Sequence, residues 1–493
     1  MKTPPHGVVI AGTQRIPIER ILDRGRRGAA VLAAAGVRKG DAVALLIGND
    51  PGFFEAWVAT SVLGAVAVPV NWHLREDEVA HLIDDCRAAA VIGETEHMVR
   101  LAAAVAGRPR YELGRTWDAA LAQARPAEGE ITPGAATLIY SSGTTGRPKG
   151  IRRLPRSAAQ AELYGATIRR VYGVVPGGST VIVAPLYHSA PFVHATSSLL
   201  AGGTLVMMRR FDPAALLQLI ERYRVTNLLM VPTMFVRLLA LPDEVRHRHD
   251  LSSLRHVVHG AAPCPPEVKR RMIEWWGPII HEYYGCTESG IVTACDSAEA
   301  LERPGTVGRP VEGATVVVLG EDGHPVAPGI DGEVFVRHRG AADFTYQNLP
   351  AERAAVERDG LVTCGDIGHL DQDGYLFLVD RKRDLVISGG VNVFPAEVEL
   401  VLLEMEGVED AAVVGLPDEE YGEVLAAAVK PKDGATPSRE AIVAHLRARL
   451  GRLKVPRLIE IRRDLPRDPS GKLMRRRLRE EWLRRGWPNL DRP

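Results

Sequence analysis

The run Thr137-Leu138-Ile139-Tyr140 is short and apolar and reads as a buried strand. It breaks into Ser141-Ser142-Gly143-Thr144-Thr145-Gly146-Arg147-Pro148-Lys149-Gly150. The glycines let the backbone turn tightly and approach a ligand closely. Successive backbone N–H groups, hydroxyls and one ammonium then make a concave site for a polyphosphate. A solvated Ser/Gly loop with an incidental lysine would share this composition. The loop is not a Walker A sequence, because Arg147-Pro148 precede the lysine and Gly150 follows it.

The elements that must position this loop alternate between helix and buried strand, which predicts α/β architecture with a mostly parallel sheet. Two short strands flank Gly12, a helix spans Ile18 to Ala35, and an all-apolar strand spans Ala42 to Ile47. A helix over Pro51–Leu63, a strand over Ala65–Val70, a helix over Glu76–Cys86 and a strand over Ala89–Ile92 follow. Leu101 to Glu130 is rich in Ala, Arg and Pro and reads as surface connection. Beyond the loop, strands ending near Val183, His259 and Tyr284 each run into a polar or Gly-rich segment. In open α/β sheets ligands bind outside such strand ends. From Val311 to Arg339 the pattern becomes short, alternating and more antiparallel. A strongly charged stretch, Asp380-Arg381-Lys382-Arg383-Asp384, then precedes a separate α+β region. The expected division is therefore residues 1–381 and residues 382–493.

At 493 residues the chain exceeds one ordinary core. Lys plus Arg and Asp plus Glu balance at 61 each, so whole-chain charge predicts no polyanionic partner. The Arg-rich tail from Arg452 to Arg485 is interrupted by acidic residues and carries no aromatic stacking platform, so it reads as a solvated helix face rather than a nucleic-acid site. The five cysteines are scattered without CxxC spacing, which argues against a disulfide framework or zinc site and fits a reducing cytoplasm. The N-terminus does not read as a signal peptide, and no apolar run reaches the ~20 residues of a membrane span.

Ser141 to Gly150 resembles the phosphate loop of the adenylate-forming superfamily, which contains acyl-CoA synthetases, adenylation domains and beetle luciferases. His281-Glu282-Tyr283-Tyr284-Gly285-Cys286-Thr287-Glu288 is similar to its Tyr-Gly-x-Thr-Glu motif. By that match Tyr284 stacks on adenine, Thr287 touches the α-phosphate and Glu288 holds Mg²⁺. A hard cation does want a carboxylate plus phosphate oxygens. Gly260-Ala261-Ala262 resembles the backbone lining the adenine and acyl pocket. Thr363-Cys364-Gly365-Asp366 resembles the family's Thr-Gly-Asp, with Asp366 accepting from the ribose hydroxyls and Cys364 as the departure. Asp380 to Asp384 resembles the hinge, where Arg381 reaches ribose or phosphate and Arg383 replaces the usual Asp or Lys. Ser388-Gly389-Gly390 resembles a glycine face of a mobile C-terminal domain, and Leu465 to Lys472 resembles the loop that carries the adenylation lysine, Lys472.

The resemblance implies a fold of a large N-terminal domain with parallel sheets and a small antiparallel region, followed by a small mobile lid. It implies ATP, Mg²⁺ and coenzyme A as reactants and an AMP-forming acid–thiol ligase as the activity. A carboxylate attacks the α-phosphorus, pyrophosphate leaves, the lid rotates and a thiol takes the acyl group. Tyr187-His188 borders the expected acyl pocket, with Phe192, Phe235, Gly260 and Gly290 as further lining. Ala184-Pro185-Leu186-Tyr187 lacks the aspartate of amino-acid-activating relatives, so a hydrophobic acid is expected. Tyr421 and Lys454 are expected to meet CoA. A carrier-protein arm or another nucleophile is the alternative acceptor, and a nucleotide-binding sensor is the non-enzyme alternative. Relatives are monomers and homodimers.

Overall fold

The computed structural model describes residues 7–131, 137–141, 148–389, 391–467 and 473–487, with backbone only at Ser141 and Arg383. The expected site residues Ser142, Gly143, Thr144, Thr145, Gly146, Gly390 and Lys472 lie outside the described residues. The chain divides into two compact units, residues 1–315 with 336–362 and residues 316–335 with 363–493.

The first unit is organised on a nine-stranded sheet. Its order is Arg309–Pro310, Gly290–Cys295, Ile280–Cys286, His256–His259, Asn227–Met230, Ser179–Ile182, Thr204–Met207, Val8–Ala11 and Gln14–Pro17. The strands from Ile280–Cys286 to Val8–Ala11 pair in parallel, and the outer strands on both sides pair antiparallel. Parallel pairing puts the C-terminal ends of Ser179–Ile182, Asn227–Met230, His256–His259 and Ile280–Cys286 on one edge. The residues named above as strand exits therefore share that edge.

A second, four-stranded parallel sheet runs Val66–Pro69, Ala42–Leu46, Ala90–Gly93, Arg110–Glu112. The helix Pro51–Leu63 is apolar on all sides and is buried from Pro51 to Ser61, with Asp50 capping its first turn through Gly52 N–H at 2.9 Å. Each large side chain that it buries fully, such as Phe53, Phe54 and Trp57, contributes about 1.5–3 kcal/mol. A third, three-stranded antiparallel sheet pairs Leu138–Ser141, Lys149–Arg153 and Phe344–Tyr346. This hairpin carries the two flanks of the phosphate loop.

The expected surface connection from Leu101 to Glu130 is instead folded into the first unit. Leu101, Val105, Trp117 and Leu121 are buried, and the segment forms the strand Arg110–Glu112 and the helix Thr116–Gln123. The physical reason is a sparse apolar stripe: Trp117 and Leu121 are four apart on one helix face, and Ala favours helix between them. Trp117 also donates Nε1–H to Glu55 at 3.2 Å, and Arg24 bridges Glu55 and Asp118.

In the second unit, Asp366–Leu370 and Leu376–Arg381 form an antiparallel ladder that pairs Asp366 with Arg381. Further on, Val391–Val393, Val386–Ser388, Gly422–Pro431 and Val408–Asp418 form an antiparallel sheet, with Leu458–Ile461 parallel to Gly422–Pro431. Alternate residues of Gly422–Pro431 enter two cores. Leu425, Ala427 and Val429 pack with the helices Pro395–Leu403 and Arg439–Arg447, whereas Val424, Ala426 and Ala428 pack with Leu478 and Trp482 of Arg475–Arg484. The Arg-rich tail is thus a helix with one buried face. No helix among the described residues is long and apolar enough to cross a membrane.

Buried imidazoles of the first unit, His194 and His256 among them, give its stability a pH dependence. His194 is fully enclosed, and burial, with His256 next, holds it down at about 3. Burial, with His281 stacked on it at 3.9 Å, holds His256 down at about 4. Both stay neutral in the native state while an unfolded histidine protonates near 6.5. Their contribution is complete above that value and is lost as pH falls toward 4. Each histidine should then lower stability by about 1.4 kcal/mol per pH unit. Urea titrations from pH 7.5 to 4.5 should show this slope, and His256→Gln should reduce it by one histidine's share. An unchanged slope in the variant would exclude this origin.

Candidate active site

Asn49 builds the first part of the site. It follows the apolar strand Ala42–Leu46, and its buried amide donates to the carbonyls of Ile182, Ala184 and Met208 at 3.2, 3.2 and 2.9 Å. Its Oδ1 accepts Leu186 N–H at 3.1 Å. One side chain thereby fixes the exit of the strand Ser179–Ile182 and presents Tyr187-His188. His188 is the N-cap residue of the helix Ser189–Leu200, and its ring lies 4.6 Å from that of Tyr187. Phe192, on the same helix, packs edge-on against Phe53 and Trp57 at 5.7 and 6.3 Å. Phe235 is fully buried and meets the His259 ring at 5.1 Å. Both phenyl rings pack in the core of the first unit.

The second part follows the strands His256–His259 and Ile280–Cys286. A side chain at Gly260 would place its Cβ 2.6 Å from the Tyr283 ring. Close packing of the loop on Tyr283 therefore requires glycine. Ala261 holds a φ of +67°, a left-handed conformation that costs an L-residue about 1–2 kcal/mol and marks a tightly determined turn. Successive strand residues face opposite sides. Tyr283 packs on Tyr172 at 5.4 Å, whereas Glu282 points to the other face and pairs there with buried Lys269. A bulge between Tyr284 and Gly285 then re-aims the chain into Thr287 and Glu288. At Gly290, φ is +76° and a side chain would run into Tyr164 Oη, which accepts Ile291 N–H at 3.1 Å.

The third part is the hairpin sheet. Lys149 begins the strand Lys149–Arg153, forms an ion pair with Glu352 and sits 5.4 Å above the Tyr346 ring. The Tyr346 hydroxyl donates to Glu288 Oε1 at 3.0 Å. Burial, with the neighbouring Glu288 carboxylate next, pushes the Tyr346 phenol up, so it stays a donor. Arg153 donates to the carbonyl of Glu288 at 2.8 Å and to that of Thr287. Lys149, Thr287 and Glu288 are thus brought together by one small sheet. A carboxylate aimed by a phenol is a hard oxygen donor. It suits a cation such as Mg²⁺, which takes one or two carboxylates plus substrate phosphates and keeps several waters.

The second unit holds the other candidates. Asp366 is buried, and Arg381 Nε donates to its Oδ1 at 3.0 Å across the ladder. Thr363 Oγ1 accepts Gly365 N–H at 2.9 Å and donates to Glu333 at 3.0 Å. Lys382–Asp384 form one 3₁₀ turn. The turn is anchored by Arg475, which meets Asp384 at 3.2 Å and Glu399 at 2.5 Å. Asp380 accepts Ala396 N–H at 2.8 Å, at the start of Pro395–Leu403. Ser388 is buried, and Gly389 N–H donates to Tyr421 O at 2.9 Å. The Tyr421 ring lies 4.2 Å beneath the Arg457 guanidinium. Lys454 is held by both oxygens of Glu397 at 2.7 Å.

Asn49, Arg153, Tyr346 and Lys269 were not among the expected site residues. The first two act on backbone carbonyls, which leave no side-chain pattern to read. Lys269 is one lysine on an otherwise amphipathic helix, Pro266–Trp276, whose partner lies 13 residues on. Tyr346 carries a weak signal, as an aromatic ending a short strand.

Residues 1–343 match the AMP-binding enzyme family, and residues 397–472 match the AMP-binding enzyme C-terminal domain. The chain is 36% identical over 487 residues to a feruloyl-CoA synthase from Amycolatopsis sp, covering 97% of this chain and 96% of that protein. It is 32% identical to an indoleacetate–CoA ligase from Aromatoleum aromaticum, over 92% of this chain and 91% of that protein. Among solved structures, ATP-bound MatB from Rhodopseudomonas palustris superposes with a TM-score of 0.87 at 28% identity, covering 98% of this chain and 97% of that one.

Proposed function

The chain belongs to the AMP-binding enzyme family and is an adenylate-forming enzyme of the acid–CoA ligase type. From that premise we propose that it activates a hydrophobic carboxylic acid as acyl-AMP and then transfers the acyl group to coenzyme A. The observation that carries this reading is the convergence of Lys149, Thr287 and Glu288 on one three-stranded sheet at the phosphate loop. The matched family and the relatives reported above are named as enzymes, which favours catalysis over a nucleotide-binding sensor.

In the first half-reaction a carboxylate oxygen of the acid attacks the α-phosphorus of ATP, and the bond to the pyrophosphate oxygen breaks. Little covalent help is needed, so the protein positions groups and stabilises charge. Lys149, Thr287 and Lys472 meet the phosphate oxygens, and His188 borders the incoming carboxylate. Glu288 would hold Mg²⁺, which when bound neutralises phosphate charge. Tyr284 lies against adenine beside Gly260, Ala261 and Ala262, and Asp366, oriented by Arg381, accepts from the ribose hydroxyls. In the second half-reaction the CoA thiol attacks the acyl carbon, the mixed anhydride bond breaks and AMP departs. Residues 382–493 serve as the lid, turning at Arg383, with Ser388 to Gly390 beside the thiol arm. Tyr421 stacks the CoA nucleotide. Lys454 would exchange Glu397 for a CoA phosphate.

The substrate reading draws on two features. The segment Ala184-Pro185-Leu186-Tyr187 has no acidic side chain for an α-ammonium. The proteins named feruloyl-CoA synthase and indoleacetate–CoA ligase act, by their names, on aryl-bearing acids. Aryl acids therefore come first in the test. Pyrophosphate release is measured with ATP and Mg²⁺ across aliphatic, aryl and steroid-side-chain acids, with and without CoA. Release with an apolar acid and a CoA-dependent thioester is the expected result. Adenylate without a CoA product would transfer the second half-reaction to a carrier-protein arm or another nucleophile. Release with none of these acids would overturn the acyl assignment.

A further inference from the structure

Arg153 is the last residue of the strand Lys149–Arg153, and it stands opposite Phe344 in the three-stranded sheet. Its side chain is half-buried in the first unit, and desolvation pulls the guanidinium below its ordinary value. Such a charge normally takes a carboxylate partner. Here its three acceptors are backbone carbonyls: Glu288 O at 2.8 Å, Ala342 O at 2.7 Å and Thr287 O. Among the described residues no carboxylate forms an ion pair with it.

Two of those carbonyls belong to consecutive residues that the proposed function places on phosphate and cation. The same sheet reaches Glu288 at its other end, because Tyr346 of the neighbouring strand donates to the carboxylate at 3.0 Å. Glu288 is therefore held at both backbone and side chain by strands that also carry Lys149. A planar fork that spans successive carbonyls fixes the peptide plane between Thr287 and Glu288. Rotating that plane would swing the carboxylate away from its phenol.

We propose that Arg153 is the positioning residue that couples the phosphate-loop strand to Thr287–Glu288 and so sets how Glu288 meets the cation accompanying ATP. This rests on the adenylate-forming reading of Glu288. Placement of Lys149 and placement of Glu288 then become one event.

The test is calorimetric and needs no turnover. ATP binding to the full chain is measured without acid substrate, once with Mg²⁺ and once with EDTA, in the wild type, Arg153→Met and Arg153→Lys. The wild type should bind ATP more tightly with Mg²⁺. Removing charge-assisted hydrogen bonds to two site carbonyls should cut that Mg²⁺-dependent gain about tenfold in Arg153→Met, while affinity in EDTA moves by less than about threefold. Binding stoichiometry gives the folded fraction, so a misfolded share cannot imitate the effect. Arg153→Lys keeps the charge but loses the fork, and should fall between the other two, at about a threefold loss of the gain. It decides the matter alone if Arg153→Met does not fold. An undiminished Mg²⁺ gain in a folded variant, or equal losses in both arms, overturns the proposal. Absence of any Mg²⁺ gain in the wild type would instead remove Glu288 from the cation site, and this proposal with it.

Discussion

Lys472→Ala should slow acyl-adenylate formation by about a thousandfold, because removing one preorganised donor to developing charge costs ~10²–10³ in rate. In the first half-reaction charge builds on the α-phosphate while a carboxylate approaches it. Two anionic groups must therefore come together, and a lysine between them offsets their repulsion. In the second half-reaction a neutral acyl carbon meets a thiol, and the proposed mechanism gives the same lysine no role there. Thioester formation from supplied acyl-adenylate should therefore change by less than about tenfold. Pyrophosphate release measures the first step, and CoA-dependent consumption of supplied adenylate measures the second. Lys472→Arg should recover only part of the first, since a planar guanidinium does not replace a compact ammonium. Equal loss in both half-reactions would show that one lid position serves both steps and would remove the alternation from the mechanism.

The residues proposed to meet substrate stood out in the sequence because they fall in motifs that resemble those of the family. Thr287 and Glu288 follow the end of the strand Ile280–Cys286, Lys149 begins a strand and Asp366 lies within one, and the structure links the first three in one network. The residues that aim them were not legible. Arg153 reads as one more cation in Arg152-Arg153, and its acceptors are carbonyls 134 to 189 residues away. Asn49 likewise holds a strand exit 133 to 159 residues on. Backbone acceptors are the same for every residue type, so sequence cannot announce them. The segment from Leu101 to Glu130 misled for a different reason. Its alanines and arginines outnumber the few apolar residues, yet Trp117 alone buries a large ring against the core. Glu282 shows a third case. Its place beside Tyr283 suggests a ligand role, but alternation along the strand turns it to Lys269 on the opposite face.

That buried pair should be the most sensitive point for stability in the strand that carries the site. Lys269 and Glu282 are 3% and 4% exposed, and Lys269 Nζ also donates to Thr306 O at 3.4 Å. Around them lie Cys264, Met272 and the His259 ring, whose Nδ1 is 3.9 Å from Glu282. Burial keeps that imidazole neutral, so it cannot replace the ammonium. Lys269→Met leaves the carboxylate without its cation in an apolar setting, and should cost about 3–5 kcal/mol. Glu282→Gln leaves the ammonium and should cost a similar amount. The double variant Lys269→Met, Glu282→Leu should recover most of the loss, since a well-packed apolar pair of similar volume is often neutral or stabilising relative to an ion pair. Urea unfolding of the four proteins closes the cycle. A single-variant loss below about 1 kcal/mol, or a double variant no better than either single, would mean that the pair is solvated or uncoupled. The loss in Lys269→Met should also shrink on acidification. An orphaned buried carboxylate takes a proton at higher pH than usual. The variant's native state then binds a proton that the unfolded chain does not, which offsets part of its deficit as pH falls through that range. In the wild type Lys269 opposes that uptake. A difference in stability between the wild type and Lys269→Met that narrows as pH falls would thus identify Glu282 as the charge that this lysine balances.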